Sequence, residues 1–316
     1  MPLLIQALGV FLLAGGLALF LLPFSIAASA ADQWRSPHII AMLVVGFAML
    51  VAFILVERFV SPRPFIPYKL LIDRTVLGAC LVDFVYQIAY YCWGSYFTSF
   101  LMVNYDVSIS AAGYILSIFD VVSGVWLLGV GFLIRKTGTF RWLLMCGIPL
   151  YILGVGLMIH FRQPHMKLGY MIMCQIFTSF GGGTMIICQQ VAVLAAASHN
   201  DAAAVLALLG LFGYIGGAVG NSISGAIWTH TLPAALQRLL PAESLPDWQT
   251  IYEDLDVQLS YPVGDPTREA IMLAYAEAQS RMLIAGTAIM ALALGFVFLI
   301  KNIRVSEIEQ VKGVLF

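Results

Sequence analysis

The sequence predicts an all-α membrane protein that crosses the bilayer about eight times. Three observations carry this. Hydrophobic residues make up 61% of the 316 and charged residues only 10%, with a mean hydropathy of +0.92, whereas a globular domain carries roughly 25% charged residues. Apolar runs that fit a hydrocarbon core of about 30 Å, about 20 residues each, recur at roughly 2–22, 39–56, 75–97, 111–134, 142–161, 169–196, 203–228 and 282–300. Pro, Gly and charge clusters separate them, which is where helices in lipid can end.

Composition also excludes function classes. A net charge of −1 without a basic run leaves no footprint for nucleic acid; the expected surroundings are the lipid bilayer. Cys80, Cys92, Cys146, Cys174 and Cys188 all fall in apolar segments without a CxxC pair, so they read as small buried hydrophobes. His38, His160, His165, His199 and His230 stand singly at span ends. No zinc or haem motif and no Ser-His-Asp or Cys-His set occurs, so no cofactor, metal or enzymatic activity is expected. No charge precedes Asp32, so the basic region of a secretory leader is not read here.

The loops give an orientation. Arg58, Arg63, Lys69, Arg74, Arg135, Lys136, Arg141, Lys301, Arg304 and Lys312 fall on one side; Arg35, Arg162, Lys167, Arg238, Arg268 and Arg281 fall on the other. The richer side is expected to be cytoplasmic. Thr229–Arg281, with eight acidic and three basic residues, is then an external loop, and long loops between membrane helices usually carry function. Within it, Leu232–Leu240 reads as a short amphipathic piece closed by Pro241. Asp265-Pro266-Thr267 reads as an N-cap with proline at the first helical position. A helix from there to Ile300 would exceed the bilayer, with its first four turns standing clear as a stalk.

Two carboxylates, Asp83 and Asp120, lie at membrane depth, where ionisable groups are costly and usually functional. Tyr86, Tyr90, Trp93 and Phe97 follow Asp83 at i+3, i+7, i+10 and i+14, on one helix face. That face fits a cavity for a bulky, partly apolar solute, with Asp83 changing protonation as the solute moves; it equally fits an interhelical hydrogen bond and aromatic packing. Gln189, Gln190, Asn221 and Ser222 are uncharged polar groups within spans, able to bond neighbouring helices or to face a central cavity. Gly213/Gly217 and Gly216/Gly220 form GxxxG pairs for close helix packing.

The turn Gly131–Arg141 approximates the G-x-L-x-D-R-x-G-x-x-R loop of major facilitator transporters, with Arg135 in place of the Asp; a generic positive-inside turn would look similar. There Gly131 would allow close packing and Gly138 a tight turn. Further segments are Glu57–Phe65, Asp73–Ala79, Gln175-Ile176-Phe177 with Gly181-Gly182-Gly183, Ala203–Gly210 and Leu259–Gly264. Across nearly the whole chain these resemble the C-terminal part of fungal siderophore–iron transporters, a fourteen-helix branch of that superfamily.

The resemblance implies two linker helices and a basic loop over 1–74, a C-terminal six-helix bundle over 75–300 with the external loop 229–281, and a cytoplasmic tail over 301–316. It implies uptake of ferric siderophores by proton symport in the plasma membrane or an endosomal membrane. Tyr261, Tyr86, Tyr90, Trp93, Gln189 and Asn221 are then substrate-contact candidates, Tyr261 at the family's loop Tyr-Pro position, and Asp83 and Asp120 proton-coupling candidates. It also implies an N-terminal six-helix bundle lying outside these 316 residues, as in a truncated transporter. A multidrug:proton antiporter, or a non-transporting protein that binds partners through its loop, are the alternatives.

Overall fold

The computed structural model describes residues 2–27, 33–60, 68–198 and 201–305, and those residues are mostly helical, with no strand among them. Ser61–Phe65 of the family segment, His199, Asp32 and the tail beyond 305 lie outside the described residues. In chain order the helices are α1 (Pro2–Leu21), α2 (Pro23–Ile26), α3 (Pro37–Phe59), α4 (Tyr68–Ile72), α5 (Arg74–Gly94), α6 (Phe97–Tyr105), α7 (Ile109–Thr137) and α8 (Arg141–Phe161). They continue with α9 (Leu168–Ala196), α10 (Ala202–Leu239), α11 (Trp248–Glu253), α12 (Leu255–Ser260), α13 (Pro266–Met290) and α14 (Leu292–Phe296). Seven helical stretches are long and apolar enough to cross a membrane, and the 20-residue α1 accompanies them.

α1 and α3 form an antiparallel pair, with Gly46 against the backbone of Leu19 and Phe20 and Gly16 against Leu50. α5, α7, α8, α9, α10 and α13 form a six-helix bundle with α5 at its centre, packed on α9, α10 and α13, while α8 pairs with α9. The α1–α3 pair joins the bundle at α10, where Ser222 Oγ donates to the Leu21 carbonyl at 3.2 Å.

Helix ends follow local chemistry. Asp73 caps α5, its carboxylate accepting from Thr75 N at 2.8 Å and Val76 N at 3.2 Å. α7 stops at Gly138, whose φ of 69° suits glycine at a helix C-terminus. This turn is fastened from the far end of the chain by Val305 N, which donates to Gly138 O at 2.8 Å. The Asp265 cap forms as expected, accepting from Thr267 N at 2.7 Å.

Several expectations need correction. The third span, expected to stop at 97, breaks and runs on: Ser95 is extended and Tyr96 left-handed (φ 57°), and α6 then resumes the helix to Tyr105. The span expected to stop at 228 continues as α10 to Leu239, so Leu232–Leu240 is no separate piece; at 38 residues α10 extends about 57 Å. Buried Leu232, Ala235 and Leu236 show that protein covers the extension. The first turns of α13 do not stand clear either. Arg268, Ile271, Ala274, Tyr275, Ala278 and Gln279 are buried, while the helical course continues through Ala291 to Leu299, close to the expected end. Gly131 meets nothing within 4 Å and so mediates no close packing, and Cys146 is exposed rather than buried.

A polar groove between α5 and α10

α5 and α10 approach closely because glycines line α10 where they meet. A Cβ on Gly216 would collide with the Phe84 carbonyl, and one on Gly220 would stand 2.9 Å from Ile88 Cα. Beside this contact the helices diverge and leave a groove of about 470 Å³ lined by Asp83, Gln87, Tyr91, Gly213, Tyr214 and Asn221. Asp83 is 8% exposed. Its carboxylate rests on Gly213, in the space a Cβ would take. Among the described residues no cation pairs with it. The groove therefore offers one acid, two amides and two phenols against a glycine floor.

The structure brings together only part of the expected site. Asp83 and Asn221 share the groove. Tyr90 does not line it: half-buried, it packs with the other aromatics of its face, 5.4 Å ring to ring from Trp93 and 5.3 Å from Phe119. Tyr86 and Trp93 face a different neighbourhood: Tyr86 packs edge-on to Tyr151 at 5.3 Å, and Trp93 Nε1 donates to Tyr151 Oη at 3.0 Å. Both rings, with Phe97, are buried, so the aromatic stripe keeps its common face but serves as core against α7 and α8 instead of lining the cavity. Gln189 is buried on α9 with its amide nitrogen unpartnered. Gln190 is exposed. Asp120 is exposed on α7, apart from the groove.

Tyr261 is half-buried beside α12, and its carbonyl is held by Arg268. That guanidinium, fully buried, also donates to Val103 O at 3.0 Å, Gln258 O at 3.0 Å and Met102 O at 3.3 Å. It thereby ties the segment before α13 to the end of α6.

Gln87, Tyr91 and Tyr214 were missed by sequence reasoning. Asp83, Gln87 and Tyr91 recur at i, i+4 and i+8, a helical face that could have been read beside the aromatic one. Tyr214 carried no such signal.

Relatives of known class match almost the entire chain. The MFS siderochrome iron transporter D of Aspergillus fumigatus is 66% identical over 309 residues, 98% of this chain and 52% of its own length. Over 98% of its length the chain matches siderochrome iron transporters of the major facilitator superfamily. Within that family the siderophore iron transporter mirB of Emericella nidulans is 55% identical over 98% of this chain and 51% of its own. Siderophore iron transporter 1 of Schizosaccharomyces pombe is 38% identical over 96% and 50%. The chain thus spans about half the length of the curated relatives it matches.

A family model described as fungal trichothecene efflux pump (TRI12) matches residues 4–147. Among solved structures, a bacterial homolog of the human lysosomal transporter Spinster shares the fold. Its inward-facing occupied form aligns at a TM-score of 0.54 and 15% identity, over 90% of this chain and 66% of the other. The unoccupied form gives 0.54 and 16%, over 91% and 68%. With seven helical stretches able to cross a membrane among its described residues, this chain has the multi-pass membrane architecture of that class.

Proposed function

We propose that this chain forms one wall of a ferric siderophore pathway and couples transport to protons through Asp83. The observation that carries this reading is the placement of Asp83: a carboxyl group at membrane depth opening into a polar groove beside Gln87, Tyr91 and Asn221. A siderophore chelate is large and rimmed with carbonyl and amide groups, which amides and phenols of a groove can meet. Asn221 is the groove contact assigned to it here, Tyr90 is a contact candidate on the aromatic face of α5, and Tyr261 is assigned a capture role on the external side. Tyr86, Trp93 and Gln189 would support the walls from within. Proton arrival removes the charge of Asp83, and proton departure restores it, so the groove differs electrostatically between loaded and unloaded forms. Asp120, on the exposed face of α7, is the second proton-coupling candidate.

In this reading the connection from Leu240 to Asp265 lies outside the membrane, and the remaining half of the family fold rocks against this bundle around the groove. The test joins this chain to that half in iron-limited cells. Asp83→Asn is expected to lower proton-driven uptake of radioiron-labelled ferrichrome by about a hundredfold, a general acid–base scale effect. Uptake that keeps its rate and pH dependence in Asp83→Asn would refute the assignment. The efflux-pump family match favours a second reading, proton-driven export of an apolar toxin. Toxin sensitivity, unchanged iron uptake and loss of resistance in Asp83→Asn would support that one instead.

A further inference from the structure

The break between α5 and α6 removes main-chain acceptors from the helical ladder. In a continuous helix the Trp93 carbonyl would bond the amide four residues on; here Ser95 is extended and Tyr96 left-handed. Two side chains from elsewhere take over. Arg162, at the end of α8, donates from Nη1 to Trp93 O at 2.7 Å and to Gln279 Oε1 at 2.6 Å. Gln279, on α13, donates from Nε2 to Ser95 O at 3.3 Å. Ser95 Oγ then donates to Asn221 Oδ1 at 3.4 Å, which brings the network into the groove.

Arg162 and Gln279 are both fully buried, and no carboxylate pairs with Arg162 among the described residues. Its charge is met instead by one main-chain carbonyl, an amide, the Met158 sulfur at 3.3 Å and the face of Phe97, whose ring centre lies 4.2 Å from the guanidinium carbon. Such a charge is costly to bury without a counter-ion, and the main-chain acceptor it holds is one that the break exposes. A second link to α10 runs through the rings: Tyr96 stacks on Trp228 at 4.0 Å with their planes 2° apart.

We propose that Arg162 and Gln279 are positioning residues for the groove. They hold the α5–α6 break and, through Ser95, the amide of Asn221, so that α6 and the groove shift as one unit. The meaning of that unit for transport rests on the siderophore reading; the coupling itself does not.

Hydrogen exchange of the whole chain in nanodiscs, followed by mass spectrometry, tests it. Gln279→Leu is expected to raise exchange of the α6 amides about tenfold, the scale of one buried hydrogen bond, with α7 unchanged. Gln279→Glu keeps an acceptor for Arg162 and removes the donor to Ser95, so it is expected to act like Gln279→Leu. A brace working through Arg162 alone would leave it silent. Asn221→Ala is expected to loosen α6 as well, and Asn221→Ala/Gln279→Leu to loosen it no further than the stronger single change, the non-additivity of a shared network.

Unchanged α6 exchange in Asn221→Ala, or effects of the two changes that multiply independently, overturns the proposal. Ferrichrome is expected to slow α6 exchange in the unaltered chain and not in Gln279→Leu. If ferrichrome leaves the unaltered chain unmoved while the variants behave as expected, the coupling stands and the siderophore reading falls.

Discussion

Asp73 illustrates how a short sequence segment acquires a physical job. It belongs to a stretch that resembles a transporter family, yet what it does locally is cap α5 and face Lys301 at 3.5 Å. Partial burial pushes its carboxyl up, but the amides of Thr75 and Val76 and the Lys301 ammonium outweigh that and hold it below the usual carboxylate range. A depressed folded value means stabilisation that is present above the ordinary carboxylate range and lost as pH falls through the lowered one. Asp73→Ala is expected to cost about 1 kcal/mol at neutral pH. Thermal unfolding of the solubilised chain should show that difference shrinking at acidic pH; a constant gap would remove the carboxylate from the explanation. Single residues were otherwise unevenly legible. Asp83 and Asn221 stood out as polar groups in apolar helices, whereas Arg162 and Arg268 looked like ordinary loop charges, because nothing in their neighbours along the chain reveals that three other helices close over them.

At the scale of helices, hydropathy located the spans but misjudged their ends. Hydropathy stops where lipid-like residues stop, at Trp228, while α10 runs on to Leu239 because other helices bury Leu232, Ala235 and Leu236. The same cause turns the expected stalk at the start of α13 into buried helix. The break at Ser95–Tyr96 has one local mark, Gly94 directly before it, which a hydropathy window passes over, and the rest of its support comes from α8 and α13. The glycine pairs on α10 were legible as packing, and they set the width of the groove. Gly216→Leu would drive a side chain into the Phe84 carbonyl, so α10 must move away from α5. Overpacking of this kind costs about 1–3 kcal/mol. Disulfide trapping between cysteines placed at Gln87 and Tyr214 should slow in that variant; unchanged trapping would mean that other contacts set the spacing.

For the molecule as a whole, α7 presents a row of large side chains with little cover. Tyr114, Val121, Val125, Leu128 and Phe132 of α7 are exposed, as is Tyr214 of α10, at 83%. Asp120 lies on α7 as well, and a carboxylate is a poor neighbour for lipid. This is the face that the other half of the family fold is expected to cover. A cysteine replacing Leu128 should react readily with a bilayer-soluble maleimide in this chain alone and slowly once the two halves are joined. Equal reactivity would place the partner elsewhere.

The parallel stack of Tyr96 on Trp228 has a practical corollary. Trp228 also meets Tyr275 edge-on at 5.0 Å, so its indole is packed between the broken segment on one side and α13 on the other. Parting those rings alters the surroundings that determine how an indole emits light. With the other five tryptophans replaced, movement of α6 at the break is therefore expected to show as a change in the emission of Trp228, without any dye being attached.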